Sequence, residues 1–202
     1  MKTTLLTLTF FATAGFPAWG DTIPYPDTGT IAPTMVITAA TTGQIDGYFY
    51  GFDAADMDLI QMCDLTGAFC SGFELANQTT PVGTEADFGS VNAGDVIVFT
   101  LENTSTGDTQ LSSDPLMSAD GINHAYVTPY SATGSTAIAG IPAGTFIGME
   151  DLSLTQGTDL DYNDDQFVFT NLSTTEVPEP SMLILCMALA GLVPVARRKF
   201  GL

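Results

Sequence analysis

The chain has 202 residues, with 23 Asp or Glu against 4 Lys or Arg and a formal net charge of −19 at pH 7. All four basic residues lie near the two ends, so residues 21–176 hold 22 carboxylates, no Lys, no Arg and the single His124. A nucleic-acid partner is all but excluded, because phosphate binding needs basic side chains, and self-repulsion on this scale works against a compact state.

Lys2, an apolar run from Leu5 to Phe16 and the small residues Ala18 and Gly20 of "PAWG" follow the order of an export signal cut before Asp21. Residues 1–20 are therefore read as a signal peptide. The stretch 21–176 is long enough for one domain with a real core. Residues 21–33, rich in Thr and Pro, are expected to be loose.

Short extended segments then alternate with Gly, Pro, Asn, Asp and Ser. "TMVITAA" (34–40) is β-rich, and "GYFYGF" (47–52) places Tyr48, Tyr50 and Phe52 on one face and Phe49 on the other. "DAADMDLIQMC" (53–63) is the one stretch that reads as a short helix. Its acids, 53–58, read as surface or as a weaker second ion site. Cys63 and Cys70 flank "DLTGAF" and are expected to pair in an oxidising compartment, which contributes on the order of 2–3 kcal/mol for so short a loop. A zinc site lacks ligands, since Cys186 lies in the C-terminal apolar run and one His remains.

Further strands are expected over 95–103, 124–130, 144–152 and 165–172, and residues 173–180 are expected to be loose. Many short strands separated by turn residues predict an all-β, antiparallel β-sandwich of jelly-roll type. The sequons at Asn77, Asn103 and Asn171 are given no weight. Beyond Val177, an apolar run from Met182 to Ala196 ends in Arg197, Arg198 and Lys199, as a cytoplasmic flank does. It is short for a span and is interrupted by Pro194.

The densest chemistry lies in 148–172, which holds Glu150, Asp151, Asp159, Asp161, Asp164 and Asp165. Two carboxylates about 4 Å apart repel by roughly 4 kcal/mol at an effective dielectric near 20. Asp159, Asp161 and Asn163 alternate, followed by Asp164, and such runs present hard oxygen donors to calcium. It is not an EF-hand: the sixth position is Asp164 rather than Gly, the twelfth is Thr170 rather than Glu, and a strand follows. If the strands before and after it pair as a hairpin, Glu150 and Asp151 meet the run at its tip. The expected metal ligands are Glu150, Asp151, Asp159, Asp161, Asn163 and Asp164, and the expected ion is Ca2+. Asp27, Asp46, Glu74, Glu85, Asp87, Asp108 and Asp114 read as a solvated face, His124 as a hydrogen-bonding core residue and Tyr162 as packing.

Two resemblances add to this reading. Pro178-Glu179-Pro180, Ser181, the apolar run and Arg197-Arg198-Lys199 resemble the PEP-CTERM sorting signal. That resemblance implies an exosortase and the secretion machinery as partners, processing near the motif, and release to the surface or exopolysaccharide matrix of a Gram-negative bacterium. Phe146, Glu150, Asp151 and Leu152, then Asp159, Asp161, Tyr162, Asn163 and Asp164, then Phe167 and Phe169 resemble a bacterial extracellular domain family of unassigned function. "SDPLMSADGINHAYV" (113–127) is similar to that family's Asp-Gly-x-x-His segment, with His124 as the His. This likeness covers about residues 90–172, and Asp165 stands where the family tends to place an apolar residue.

Three functions are open at this point. The first is a non-enzymatic, calcium-stabilised domain exported to the cell surface or matrix, its ions also able to bridge to anionic exopolysaccharide. The second is a hydrolase using Glu150 with Asp161 or Asp164 on glycosidic bonds, with Tyr48, Tyr50, Tyr126, Tyr130 and Tyr162 as sugar platforms. The third is a structural matrix protein whose acids serve solubility alone. The first is preferred, and no catalytic residue is assigned.

Overall fold

A computed structural model of the protein describes residues 23–177. The expected signal peptide and the sorting segment, with Pro178, Glu179, Pro180, Arg197 and Arg198, lie outside the described residues. Within them the chain is all-β, with eleven strands: β1 (Met35–Ala39), β2 (Gly43–Phe52), β3 (Asp58–Asp64), β4 (Phe69–Cys70), β5 (Glu85–Val91), β6 (Val96–Asn103), β7 (Asp108–Ser112), β8 (Ala125–Tyr130), β9 (Gly144–Met149), β10 (Asp165–Phe169) and β11 (Leu172–Glu176). No helix among the described residues is long and apolar enough to cross a membrane.

The strands form two antiparallel sheets. One runs β11-β1-β6-β3-β4, with β7 also paired to β6; the other runs β5-β2-β10-β9-β8. Alternation explains both. Ile60 and Met62 of β3, Ile97, Phe99 and Leu101 of β6, Ile147 of β9, and Phe167 and Phe169 of β10 recur every second residue and share one buried cluster. The rings of Phe99 and Phe169, one from each sheet, lie 4.2 Å apart between centroids. Residues out of phase with these, Tyr48, Phe146 and Val168, form a second apolar cluster with Tyr130 and Ile141.

Three segments differ from their expected structure. The stretch 53–63 is not a helix: its second half is β3, because Asp58, Ile60 and Met62 are buried at a spacing of two. The stretch 21–33, expected to be loose, is anchored at several points from Ile23 on, although residues 27–31 are exposed. Ile23 and Tyr25 lie against the second apolar cluster, Ala32 is buried, and Tyr126 Oη donates to the Pro24 carbonyl at 2.6 Å. Likewise 173–176, expected to be loose, belong to β11, which pairs with β1 from Met35↔Glu176 to Ala39↔Leu172.

A local irregularity moves Phe52. Gln166 of β10 faces Gly51 whereas Phe167 faces Phe49, so Tyr50 is an extra residue in β2, a β-bulge. Beyond the bulge the phase changes, and the Phe52 ring comes within 6.2 Å of Phe49 instead of siding with Tyr48 and Tyr50. Cys63 and Cys70 form the expected disulfide, joining β3 to β4.

Phe169 touches the rings of Phe88 and Phe99 at the centre of the shared core. Phe169→Ala is expected to cost about 3–5 kcal/mol of unfolding free energy, and Phe52→Ser, at an exposed position, less than about 1 kcal/mol. Chemical denaturation of the three proteins measures both.

Candidate metal centre

The strands on either side of the acidic loop do pair as a hairpin. β9 and β10 run antiparallel from Thr145↔Phe169 to Met149↔Asp165, and the loop 150–164 joins them. Alternation carries past the end of β9. Met149 points into the shared core, Glu150 to the opposite side, and Asp151 again to the core side.

Glu150 is fully buried and organises the loop around itself. One carboxylate oxygen accepts the Thr158 hydroxyl and the Leu160 N–H, the latter at 3.1 Å; the other accepts the Tyr162 N–H. Aiming two backbone amides of alternate residues at one carboxylate bends the chain unusually. Leu160 and Tyr162 sit at φ 56° and 59°, a left-handed region that non-glycine residues seldom adopt, at about 1–3 kcal/mol each. Packing holds them there, for both side chains are buried in one cluster with Ala32 and Ile122. Tyr162 Oη also accepts the Ala32 N–H at 2.8 Å and donates to the Asn123 carbonyl at 3.1 Å. The strand beneath must be bare for the loop to lie this close: a Cβ on Gly148 would collide with the Tyr162 carbonyl.

This folding gathers Glu150, Asp159, Asp161 and Asp164. Each offers one carboxylate oxygen, and all four oxygens lie within 4.8 Å of one another, a group that can hold a metal ion. Asp159 is exposed, and Asp161 and Asp164 are half-buried. Four of the six expected ligands therefore meet. The other two do different work. Asn163 turns its amide toward Asp161, donating from Nδ2 at 2.8 Å and from the backbone at 3.2 Å, so it braces a ligand. Asp151 is not one of the four; its N–H donates to Asp164 Oδ2 at 3.2 Å, and it lines one pocket with Asp159 and Asp164.

Burial, followed by neighbouring negative charge, governs the titration of the group. Burial raises the pKa of Glu150 and of Asp161. It lifts Asp164 to about 8, with Asp151 and Glu150 adding to the effect, and Asp151 to about 6. His124 supplies no counter-charge to this group, because its Nε2 contacts the Asp120 carboxylate, 3.1 Å from Oδ1. There it acts as the hydrogen-bonding core residue expected from the sequence. Its backbone carbonyl accepts the Glu150 N–H at 3.0 Å, so the Asp-Gly-x-x-His segment props the acidic strand end.

The solvated-face acids Asp27, Glu74, Glu85 and Asp87 are exposed, and Asp46, Asp108 and Asp114 are half-buried. The sequons are structural at two positions: Asn77 and Asn103 are buried, their amides donating to Asp58 and Asp56. Sequence reasoning did not single out Asp58 and Asp165 as buried: Asp58 was read with 53–58 as surface or a weaker second ion site, and Asp64 and Asp95 are buried as well. The signal was the spacing of two that links Asp58 to Ile60 and Met62, and Asp165 to Phe167 and Phe169.

No family model, curated protein or solved structure matches this chain.

Two outcomes follow from this geometry. Gly148→Ala drives a methyl group into backbone, and is expected to destabilise the protein by about 1–3 kcal/mol or more in a thermal melt. The second concerns pH. Carboxyls whose folded pKa is raised stabilise the fold below their unfolded values, and that contribution is lost as pH rises through the folded ones. With Asp151 near 6 and Asp164 near 8, metal-stripped protein is expected to melt at a lower temperature at pH 8 than at pH 5.

Proposed function

We propose that the protein is an exported, non-enzymatic domain of the cell surface or extracellular matrix that binds Ca2+ at Glu150, Asp159, Asp161 and Asp164. The observation that carries this reading is the convergence of four carboxylate oxygens in a region without a Lys or Arg. Calcium accepts six to eight hard oxygens in irregular geometry, whereas magnesium demands a near-ideal octahedron and keeps its waters. The remaining positions would be filled by water and by anionic exopolysaccharide, which the bare acidic surface repels.

Export is supported by residues 1–20 as a signal peptide, and by the Cys63–Cys70 disulfide, which suits an oxidising compartment. The PEP-CTERM-like segment makes an exosortase the processing partner and membrane attachment transient. A jelly-roll-like sandwich is the architecture we assign to the two sheets around their common core.

The hydrolase reading is weaker for a specific reason. Of the tyrosines available as sugar platforms, Tyr48, Tyr130 and Tyr162 are buried. Tyr50 is packed edge-on against Phe146 and Tyr130, and Tyr126 lies against Tyr25. Glu150, its candidate acid, already accepts three hydrogen bonds.

The test is thermal stability in calcium against chelator. For a site with Kd about 10⁻⁴ M, typical of extracellular modules, about 10 mM calcium adds roughly 2.7 kcal/mol. That corresponds to a rise in Tm of about 5–10 °C for a domain of this size. Asp161→Asn should abolish most of the rise. Equal melting temperatures with and without calcium would sink the proposal.

A further inference from the structure

A second set of acids lies on the other side of the same strand end. Asp58 opens β3 in one sheet and Asp165 opens β10 in the other. Each is in phase with the core residues of its strand, so each projects into the space between the sheets. Both are fully buried, at 0% exposure.

Their surroundings differ sharply from those of Glu150. Asp58 Oδ2 accepts the Asn77 amide at 2.9 Å, but Asp58 Oδ1 and both carboxylate oxygens of Asp165 meet no N–H or hydroxyl donor; the two carboxyls lie within hydrogen-bond reach of each other. The side chains nearest in charge to Asp165 are again acids: Asp58, Asp151 and Asp164. Asp56 stands at the rim, its Oδ2 accepting from Asn103 Nδ2 at 3.0 Å. Buried carboxylates are ordinarily paired, hydrogen-bonded or bound to a cation. Here no Lys or Arg exists in the region, His124 is engaged with Asp120, and three carboxylate oxygens face the interior with no donor. The need is met either by a proton held between the two carboxyls or by positive charge from outside the chain.

We propose that Asp58 and Asp165 form a second calcium site, buried between the two sheets and distinct from the loop site at Glu150, Asp159, Asp161 and Asp164. Asp165 supplies two free oxygens and Asp58 one, a hard-oxygen donor set suited to calcium. Asp164, whose Oδ2 accepts the Asp151 N–H, is the link between the two sites. The inner site rests on its own observation, the unpartnered buried oxygens, and stands whether or not the loop binds.

The test is a count of bound calcium on the intact protein by native mass spectrometry, after stripping with chelator and return to calcium chloride. Wild type is expected to hold two ions. Asp165→Asn keeps the shape of the side chain and removes its charge, and is expected to hold one; Asp58→Asn serves if that variant does not fold. Asp161→Asn, at the loop site, is also expected to hold one. If the loop reading alone fails, Asp161→Asn leaves the count unchanged while Asp165→Asn still lowers it. The inner site is overturned if Asp165→Asn and Asp58→Asn bind as many ions as wild type. It is equally overturned if Asp165→Asn raises Tm without changing the count, which would mean that the pair is held by a shared proton.

Discussion

A carboxylate taken out of water needs a positive charge, a set of donors or a proton, and this chain has almost no positive side chains to give. Everything distinctive about the hairpin end of the domain follows from that constraint. With 22 acids and one histidine in residues 21–176, the His124–Asp120 contact is the one pairing of an acid with a basic side chain among the described residues. Every other buried acid must be met by some other route.

Glu150 is met by donors. The chain adopts two left-handed residues, bares Gly148 and covers the loop with Tyr162 so that two backbone amides and a hydroxyl reach one carboxylate. The N-terminal segment joins this arrangement: the Gly29 N–H donates to the Asp159 carbonyl at 2.7 Å, and the Ala32 N–H donates to Tyr162 Oη at 2.8 Å. A stretch with little regular structure of its own is thus tied to the acidic loop at these points. Asp165 is met by none of these devices. The contrast within one hairpin separates an acid held in place by the fold from one that leaves its charge to be answered.

Much of the fold was legible because β-strands write their faces in the sequence at a period of two. The stretches "FIGM" and "QFVF" suffice to place Ile147, Phe167 and Phe169 inward and Phe146 and Val168 on the opposite face, and the β9–β10 hairpin brings the acids together as expected. What failed was what alternation cannot carry. The bulge at Tyr50 depends on the register with β10, which no property of β2 alone announces, so Phe52 was placed on the wrong face. The spacing of Asp53 and Asp56 imitates a helix turn, and only the burial of Asp58, Ile60 and Met62 decides for a strand. Adjacency in the sequence did not tell which of Glu150 and Asp151 joins the four-oxygen group, and Glu150 is the one that does. The opposition of Asp58 to Asp165 could not be read, because their strands lie in different sheets and meet only through the fold.

Asp58 belongs to one sheet and Asp165 to the other. Because one comes from each layer, whatever answers their charge acts on the seam between the layers, as a clasp when the charge is balanced and as a wedge when it is not. The width of the gap at that end of the domain, and the exchange of the amides that open β3 and β10, thereby become sensitive to the ionic make-up of the surroundings, while the Phe99–Phe169 contact deeper in the stack stays insulated from it.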